Sequence, residues 1–391
     1  MPARPLLAAA SACLLSSLAA ADCGAFPRQA EFDVVVLERA AAPLGASLLS
    51  RANGSSQFNF SFTTAWFSVG GADGLVVRNV ECNPDHHSCA GVAHPEWTNA
   101  GALAVVRASL DARRGPLSAE RVTAANVTWA GAPAPPAANA SRWGFADPRL
   151  AFRAATGEWH LTYDNCTQNC FPTRTTMLST SRDPFDPAAW TFRGPLLGDH
   201  APYTAGAALL FRDGAPGAPP HLAFVGDSDT ANVMWLAESQ ASDGESWAVV
   251  NKTWMTAREG CWDSHGVAPG PQPERLSSGD FLMIYNTDTG FPYKPNPLGR
   301  CSAGWAILDG ADPTLVVARS SGALLVPELP YETCAASGQG VSCQQPMVVF
   351  VTGLRPLGGD EFLVIYGGAD TVVGVSRIFV NVSAAEVGAA R

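Results

Sequence analysis

Leu178-Ser179-Thr180-Ser181, an Asp-rich turn and Trp190 recur about 57 residues later as Leu236-Ala237-Glu238-Ser239, a second such turn and Trp247. Each copy is a short apolar or alternating run, closed by turn-forming residues and reopened by an aromatic. That is the pattern of adjacent antiparallel strands, not of a helix. The rhythm extends in both directions: Asp33–Leu37, Gly74–Val80, Ala102–Ala108, Trp159–Tyr163, Pro220–Val225, Asp280–Tyr285, Gly304–Leu308, Met347–Thr352, Glu361–Gly367 and Val372–Val380 all read as strands. Amphipathic helical periodicity is almost absent. Four-stranded sheets repeated at intervals of roughly 40–70 residues are the signature of a β-propeller. A chain of 391 residues with a leader at residues 1–21 suits five blades. The expectation is therefore an all-β, five-bladed β-propeller spanning residues 22–391 as one domain, with a pair of β-sandwiches as the alternative. No long Pro/Ser linker divides the chain, and the Ala/Pro-rich Ala130–Ala140 reads as an inter-blade loop.

Composition narrows the class of partner. With 47% hydrophobic residues the chain can pack a core, and 15% charged residues is well below what a disordered chain carries. Twenty-five basic against 35 acidic residues, a net charge of −10, leave no electrostatic footprint for nucleic acid or an anionic membrane surface. The basic residues are nearly all Arg, since Lys occurs only at Lys252 and Lys294.

The N-terminus reads as a secretory leader: Arg4, an apolar run from Leu6 to Ala20 broken by Ser16 and Ser17, and small residues Ala19–Ala21 before Asp22. The run is short for a membrane span, so no membrane association is expected after cleavage and the predicted location is outside the cell or in the secretory lumen. Asn53, Asn59, Asn126, Asn139, Asn165, Asn251 and Asn381 all lie in glycosylation sequons, half of the asparagines in the chain. Cys82 with Cys89, Cys166 with Cys170, Cys334 with Cys343 and, more distantly, Cys261 with Cys301 read as disulfide pairs, leaving Cys23 over and Cys13 in the leader. His86 and His87 beside Cys82 and Cys89 leave a zinc site as the alternative for that segment. No metal or cofactor is otherwise expected.

The most informative local sequence is Trp143-Gly144-Phe145-Ala146-Asp147-Pro148-Arg149-Leu150, followed by a strand ending Thr162-Tyr163-Asp164. Proline after Asp147 keeps the aspartate out of helical geometry, and Arg149 stands where it can orient a carboxylate or a polar ligand. On its own an Asp-Pro turn is usually only a turn. The C-terminal third adds Gly304-Trp305-Ala306-Ile307-Leu308-Asp309, Asp312-Pro313, Arg319, Leu324-Leu325-Val326-Pro327-Glu328, Tyr331-Glu332, Val348-Val349-Phe350 and Tyr366-Gly367-Gly368-Ala369-Asp370-Thr371. In this order, and with the Gly-x-x-Asp-Pro-Arg segment, the chain closely resembles the β-mannoside phosphorylase and mannosidase family of five-bladed propeller glycosidases, from about Phe58 to Ile378.

That resemblance implies a funnel at the propeller axis in which a β-mannoside is held and cleaved, so the expected partner is an oligosaccharide or glycan substrate. It implies Asp147 as general acid, Arg149 as a sugar- or anion-binding group and Asp370 as a ligand of mannose hydroxyls. Tyr163 and Asp164 are possible subsite residues, with core packing as the alternative. Two departures stand out. Ala146 replaces the glutamate of the family motif, and the run Ala205–Phe211 followed by Phe224–Asp227 lacks the Lys and His-Arg that help phosphorolytic relatives hold phosphate. A sugar phosphate made outside the cell would also be lost to it. The expectation is therefore a secreted glycoside hydrolase cleaving β-mannosides. A second carboxylate must then activate water across the sugar ring, at roughly 6.5–9.5 Å from the acid, with Glu332 the preferred base and Glu328 and Asp263 behind it. A phosphorylase or mannosyltransferase of the same family, and a non-catalytic carbohydrate-binding propeller, are the alternatives.

Overall fold

The computed structural model of the protein describes residues 23–43, 59–81, 101–108, 128–129, 143–167, 174–198, 203–213, 220–228, 232–239, 244–287, 301–334 and 346–383. They form five antiparallel sheets, the blades of a β-propeller. Blade 1 contains β2 (Asn59–Val69), β3 (Ala72–Glu81), β4 (Gly101–Ala108) and β5 (Thr128–Trp129). Blade 2 contains β6 (Trp143–Arg153), β7 (Glu158–Thr167), β8 (Arg174–Ser181) and β9 (Trp190–Pro195). Blade 3 contains β10 (Thr204–Leu210), β11 (Leu222–Asp227), β12 (Val233–Ser239) and β13 (Trp247–Thr256). Blade 4 has a split inner strand, β14 (Ala268–Pro269) and β15 (Glu274–Arg275), before β16 (Phe281–Asn286), β17 (Ala303–Leu308) and β18 (Val316–Arg319). Blade 5 contains β19 (Val349–Gly358), β20 (Glu361–Gly368) and β21 (Val372–Val382), and is completed by the N-terminal strand β1 (Phe32–Arg39). Seven of the ten strands expected from the sequence lie within these elements, and the other three, Pro220–Val225, Asp280–Tyr285 and Met347–Thr352, begin one or two residues before β11, β16 and β19.

Strand alternation explains how the blades stack. Along β7, Trp159, Leu161 and Tyr163 pack toward blade 1 with Phe67 and Val76, while Thr162 and Asp164 face β10 of blade 3. The repeated tryptophans occupy equivalent places, each opening the outermost strand of its blade, buried, with its indole N–H on a turn carbonyl: Trp190 on Pro184 at 3.3 Å and Trp247 on Gly244 at 2.9 Å. The sequence repeat is thus a repeat of structure.

Three ties close the ring. β1 pairs antiparallel with β21 from Phe32↔Val382 to Arg39↔Ser376. Arg28 makes a two-pronged contact with Asp280 of blade 4, both bonds 2.9 Å. Cys23 is disulfide-bonded to Cys261. This last bond corrects the expected Cys261–Cys301 pair: Arg258 donates to the Cys23 carbonyl at 3.0 Å and seats the N-terminal segment over the Cys261 loop, whereas Cys301 is buried in a β-bridge with Val348. Cys334 is also disulfide-bonded. Residues 82, 89, 170 and 343, the histidine pair at 86–87, the leader, the loop 130–140 and the sequons at 53, 126 and 139 lie outside the described residues. The sequon asparagines Asn251 and Asn381 are exposed on β13 and β21. No helix among the described residues is long and apolar enough to cross a membrane.

The inner strands share a defect that builds the site. Register breaks at Phe62/Thr64 in β2, Ala146/Arg149 in β6, Thr204/Ala207 in β10 and Val351/Gly353 in β19, and blade 4's inner strand is interrupted after Pro269. Three of the inserted residues are left-handed: Thr63 at φ 42°, Asp147 at φ 50° and Gly206 at φ 73°. Bulges re-aim side chains, and here they do so in successive blades around the axis.

Candidate active site

Asp147 and Pro148 together stand opposite the single residue Tyr163, because Ala146 pairs with Asp164 and Arg149 with Thr162. The extra residue flips the alternation of β6. Phe145 and Leu150 both reach the core between blades 1 and 2, and Arg149 turns toward blades 3 and 4. Proline suits the position because it has no N–H to leave unpaired in the interrupted ladder. A non-glycine residue at positive φ costs of order 1–3 kcal/mol, and such strain concentrates at functional sites.

Four charged side chains surround Asp147. Its carboxylate accepts from Arg78 Nη1 at 3.3 Å and from Arg174 Nη2. Arg174 also donates from Nε to Asp164 Oδ2 at 2.7 Å. Asp164 is completely buried and further accepts from Thr176 Oγ1 at 3.1 Å and the Gly206 amide at 2.7 Å. Arg149 donates to the Asp147 carbonyl at 2.8 Å. Arg78, Arg149 and Arg174 against Asp147 and Asp164 leave one formal positive charge in excess in a buried site. Burial pushes the Asp147 carboxyl up, but Arg174, Arg78 and Arg149 outweigh it and hold the group below the usual carboxylate range. Burial and the neighbouring Asp147 charge push Asp164 the other way.

The sequence-derived candidates divide. Asp147 and Asp164 meet in this cluster, bridged by Arg174. Asp370 lies in the β20–β21 hairpin turn, at the face where the inner strands begin. Ala369 and Asp370 are both left-handed, at φ 50° and 48°, and Thr371 N bonds to Gly368 O at 3.0 Å. A β-turn with both central residues at positive φ normally carries Asn and Gly, so Ala-Asp is a strained choice at that rim.

Three expectations are corrected. Arg149 is 2% exposed and its guanidinium is committed to backbone carbonyls, so it does not present itself to a sugar or an anion. Tyr163 is a core residue, packed edge-on against Phe145 at 5.4 Å with its hydroxyl 3.4 Å from Ser179 Oγ, because its parity on β7 points it between blades; burial pushes its phenol to about 12. Glu332 is fully buried in the single helical turn α1 (Pro330–Thr333). Its carboxylate accepts from Arg39 on both oxygens at 2.7 Å, from the Glu328 and Leu329 amides at 2.9 Å and from Tyr366 OH at 2.7 Å. A carboxylate so engaged has no oxygen left to activate a water. The other base candidates fare no better: Asp263 is buried under Arg258, Arg319 and Tyr285, and Glu328 is a 65% exposed partner of Arg39.

Arg174 and Arg78 are the residues beside Asp147 that the sequence pattern does not single out. Arg174 alternates with Thr176 on the face of β8 that meets Asp164, and Arg78 ends the apolar run Leu75-Val76-Val77. A lone arginine on an otherwise buried strand face was the available signal. Thr63 sits at the blade 1 bulge, 1% exposed, its hydroxyl without a hydrogen-bond partner among the described residues.

Fold and site together give a five-bladed propeller with an arginine-clamped aspartate at positive φ on an inner strand. The chain belongs to glycoside hydrolase family 130, whose model, described as β-1,4-mannooligosaccharide phosphorylase, matches residues 132–383. It is 32% identical over 143 residues to the 1,2-β-oligomannan phosphorylase of Thermoanaerobacter sp. (strain X514), a match covering 37% of this chain and 42% of that protein. A β-1,2-mannobiose phosphorylase of the same organism matches at 30% identity over 32% of this chain and 35% of its own length. The chain thus spans less than half the length of the curated relatives it matches. Among solved structures it resembles the Listeria innocua β-1,2-mannobiose phosphorylase in complex with β-1,2-mannobiose, with TM-score 0.57, 17% identity, and 88% and 96% of the two chains covered. It also resembles a family 130 protein solved in work on glycoside hydrolases that target β-1,2 mannosidic linkages in Candida mannan, with TM-score 0.61, 20% identity, and coverage of 87% and 92%. These likenesses establish the shared fold.

Proposed function

We propose that the protein cleaves β-linked mannosides at the Asp147 site and transfers the mannosyl unit to inorganic phosphate. The observation that carries this reading is the pair of guanidinium groups, buried Arg78 and partly buried Arg174, on the Asp147 carboxylate. Phosphate is a multiply charged anion that needs several fixed donors, and guanidinium matches it with paired N–H groups. The Lys and His missing from β10 and β11 therefore do not leave the site without cations. The sequence relatives are themselves named phosphorylases, and phosphate, being its own nucleophile, requires no second carboxylate to activate water.

In this reading protonated Asp147 gives its proton to the glycosidic oxygen as the bond from that oxygen to C1 breaks. A phosphate oxygen forms the new bond to C1 from the opposite face. The products are mannose 1-phosphate and the shortened glycan, and Asp147 regains its proton from the next incoming phosphate or solvent. In the empty site the arginines hold Asp147 ionised. An anion arriving beside them offsets their charge and lets the carboxyl take up a proton, so the acid is armed when the nucleophile binds.

Hydrolysis is the second reading, favoured by Ala205-Gly206 at the position where phosphorolytic relatives place basic and polar residues. Incubation with β-1,2- and β-1,4-mannobiose, with and without phosphate, separates the two: phosphate-dependent mannose 1-phosphate is the expected product, and free mannose formed regardless of phosphate overturns phosphorolysis. Asp147→Asn should abolish turnover while mannoside binding stays measurable by calorimetry; unchanged turnover overturns the assignment of the acid. Binding without any cleavage by the wild type would identify a carbohydrate-binding propeller. Passage through an oxidising lumen belongs to the same proposal, supported by the Cys23–Cys261 disulfide, the exposed sequon asparagines Asn251 and Asn381 and the apolar N-terminus.

A further inference from the structure

The Arg149 guanidinium is surrounded by partners from four blades. From its own strand in blade 2 it takes the Asp147 carbonyl, with Nη1 at 2.8 Å. Across the axis in blade 4, Nε donates to Gly270 O at 2.9 Å and Pro269 O at 3.2 Å, and Nη2 donates to Pro269 O at 2.8 Å. The Phe350 ring of blade 5 has its centroid 5.8 Å from the guanidinium carbon. Blade 3 contributes an absence of side chain: a Cβ on Gly206 would fall 2.1 Å from Nη1 and 2.5 Å from Cζ, so the guanidinium fits only because that residue is glycine. Gly206 also has φ 73° and donates its amide to Asp164.

The carbonyl that Arg149 grips belongs to the residue whose carboxylate meets Arg174 and Arg78. Asp147 holds an unfavourable backbone conformation, φ 50°, and such a conformation persists only where surrounding contacts over-determine it. We propose that Arg149 is a positioning residue: by tying the Asp147 carbonyl to the backbone of blade 4, it holds the Asp147 bulge in the orientation that presents the carboxyl to the axial site. Lysine retains the charge but cannot reach three carbonyls in fixed directions from one planar group. The inference rests on Asp147 being the acid and goes beyond it by assigning the group that aims it.

The test uses Arg149→Lys and Gly206→Ala in the full chain, with Asp147→Asn alongside, each first checked by thermal melting. Displacing a reacting group by about 1 Å can lower a rate about 100-fold. Both variants are therefore expected to lose kcat on that scale with KM changed only a few-fold. The alkaline limb of kcat should move to higher pH as the relaxed bulge withdraws Asp147 from Arg174. Because both changes act on one contact, the double variant should lose little more than either single one. If Asp147→Asn is inactive but folded Arg149→Lys or Gly206→Ala keeps wild-type kcat and pH limb, the positioning role is wrong and Arg149 is only a structural brace. A loss confined to KM points to ligand contact and also overturns it. If Arg149→Lys does not fold, Gly206→Ala, which leaves the arginine in the chain, decides by the same criteria. If Asp147→Asn remains active, the assignment of the acid has failed, which is a different outcome.

Discussion

At the residue scale the site is governed by one arginine shared between two carboxylates. Arg174 meets Asp147 and Asp164, and neither carboxylate has bulk water to fall back on. Removing one partner of a buried ionic group typically costs about 3–5 kcal/mol because the remaining charges stay buried. Arg174→Ala should accordingly lower stability on that scale in denaturant unfolding, and its remaining activity should show an alkaline limb at higher pH, since the cation that holds Asp147 low is gone. His160 gives a second titration. It is 1% exposed on β7, tilted against Phe211 at 4.5 Å, and neither ring nitrogen has a hydrogen-bond partner among the described residues. Burial, then Arg153, lowers its pKa from 6.5 to about 4. The unfolded chain thus binds the proton more readily, and stability must fall as pH drops from about 6.5 toward 4. His160→Leu should flatten that part of the unfolding midpoint against pH; an unchanged slope would show that His160 does not contribute.

At the element scale, bulges and one short helical turn decide what the strands present. The β6 bulge converts a regular inner strand into one that faces the core at Phe145 and Leu150 yet turns Arg149 toward blade 4. Helix α1 braces the Asp370 turn. The Glu332 carbonyl accepts from Met347 N and Val348 N, and the Val348 carbonyl accepts from Ala369 N, so α1 leads through two strand ends to the turn that carries Asp370. Glu332 is therefore part of the wall. Glu332→Gln should destabilise the fold by about 3–5 kcal/mol through the buried Arg39 partner, and its kcat should equal that of the wild type at temperatures where both are folded. A kcat loss of several orders of magnitude in folded Glu332→Gln would instead restore it as a base. Sequence pattern located the strands correctly because alternation survives in a single chain, but bulge positions and the parity of Tyr163 depend on pairing partners.

At the scale of the whole molecule, a propeller closes by bringing its N-terminal strand into its last blade. Here β1 does so through β21, and the Cys23–Cys261 bond spans 238 residues to lock the segment before it. A cross-link restricting so long a loop contributes about 2–5 kcal/mol by limiting the unfolded chain. Replacing both cysteines by serine should lower the melting temperature, and reductant should bring the wild type down toward the double variant. Equal melting temperatures would show that β1 pairing and the Arg28–Asp280 contact suffice. The scarcity of lysine also takes its meaning here. Arginine supplies the axial brace at Arg149, the clamp at Arg78 and Arg174, and the N-terminal tie at Arg28, places where a planar, multiply donating group holds several acceptors at once.

The sequence by itself determined the all-β class, the number of blades and the family likeness, because strand alternation and repeat spacing are written in neighbouring residues. Only the tertiary structure decided that Arg149 and Glu332 are committed to the scaffold, that Cys261 bonds Cys23, and that Arg78 and Arg174 join Asp147. The reason is physical: whether a buried charge binds a ligand or braces a fold depends on which partners, supplied by residues as far as 293 positions away, reach it first.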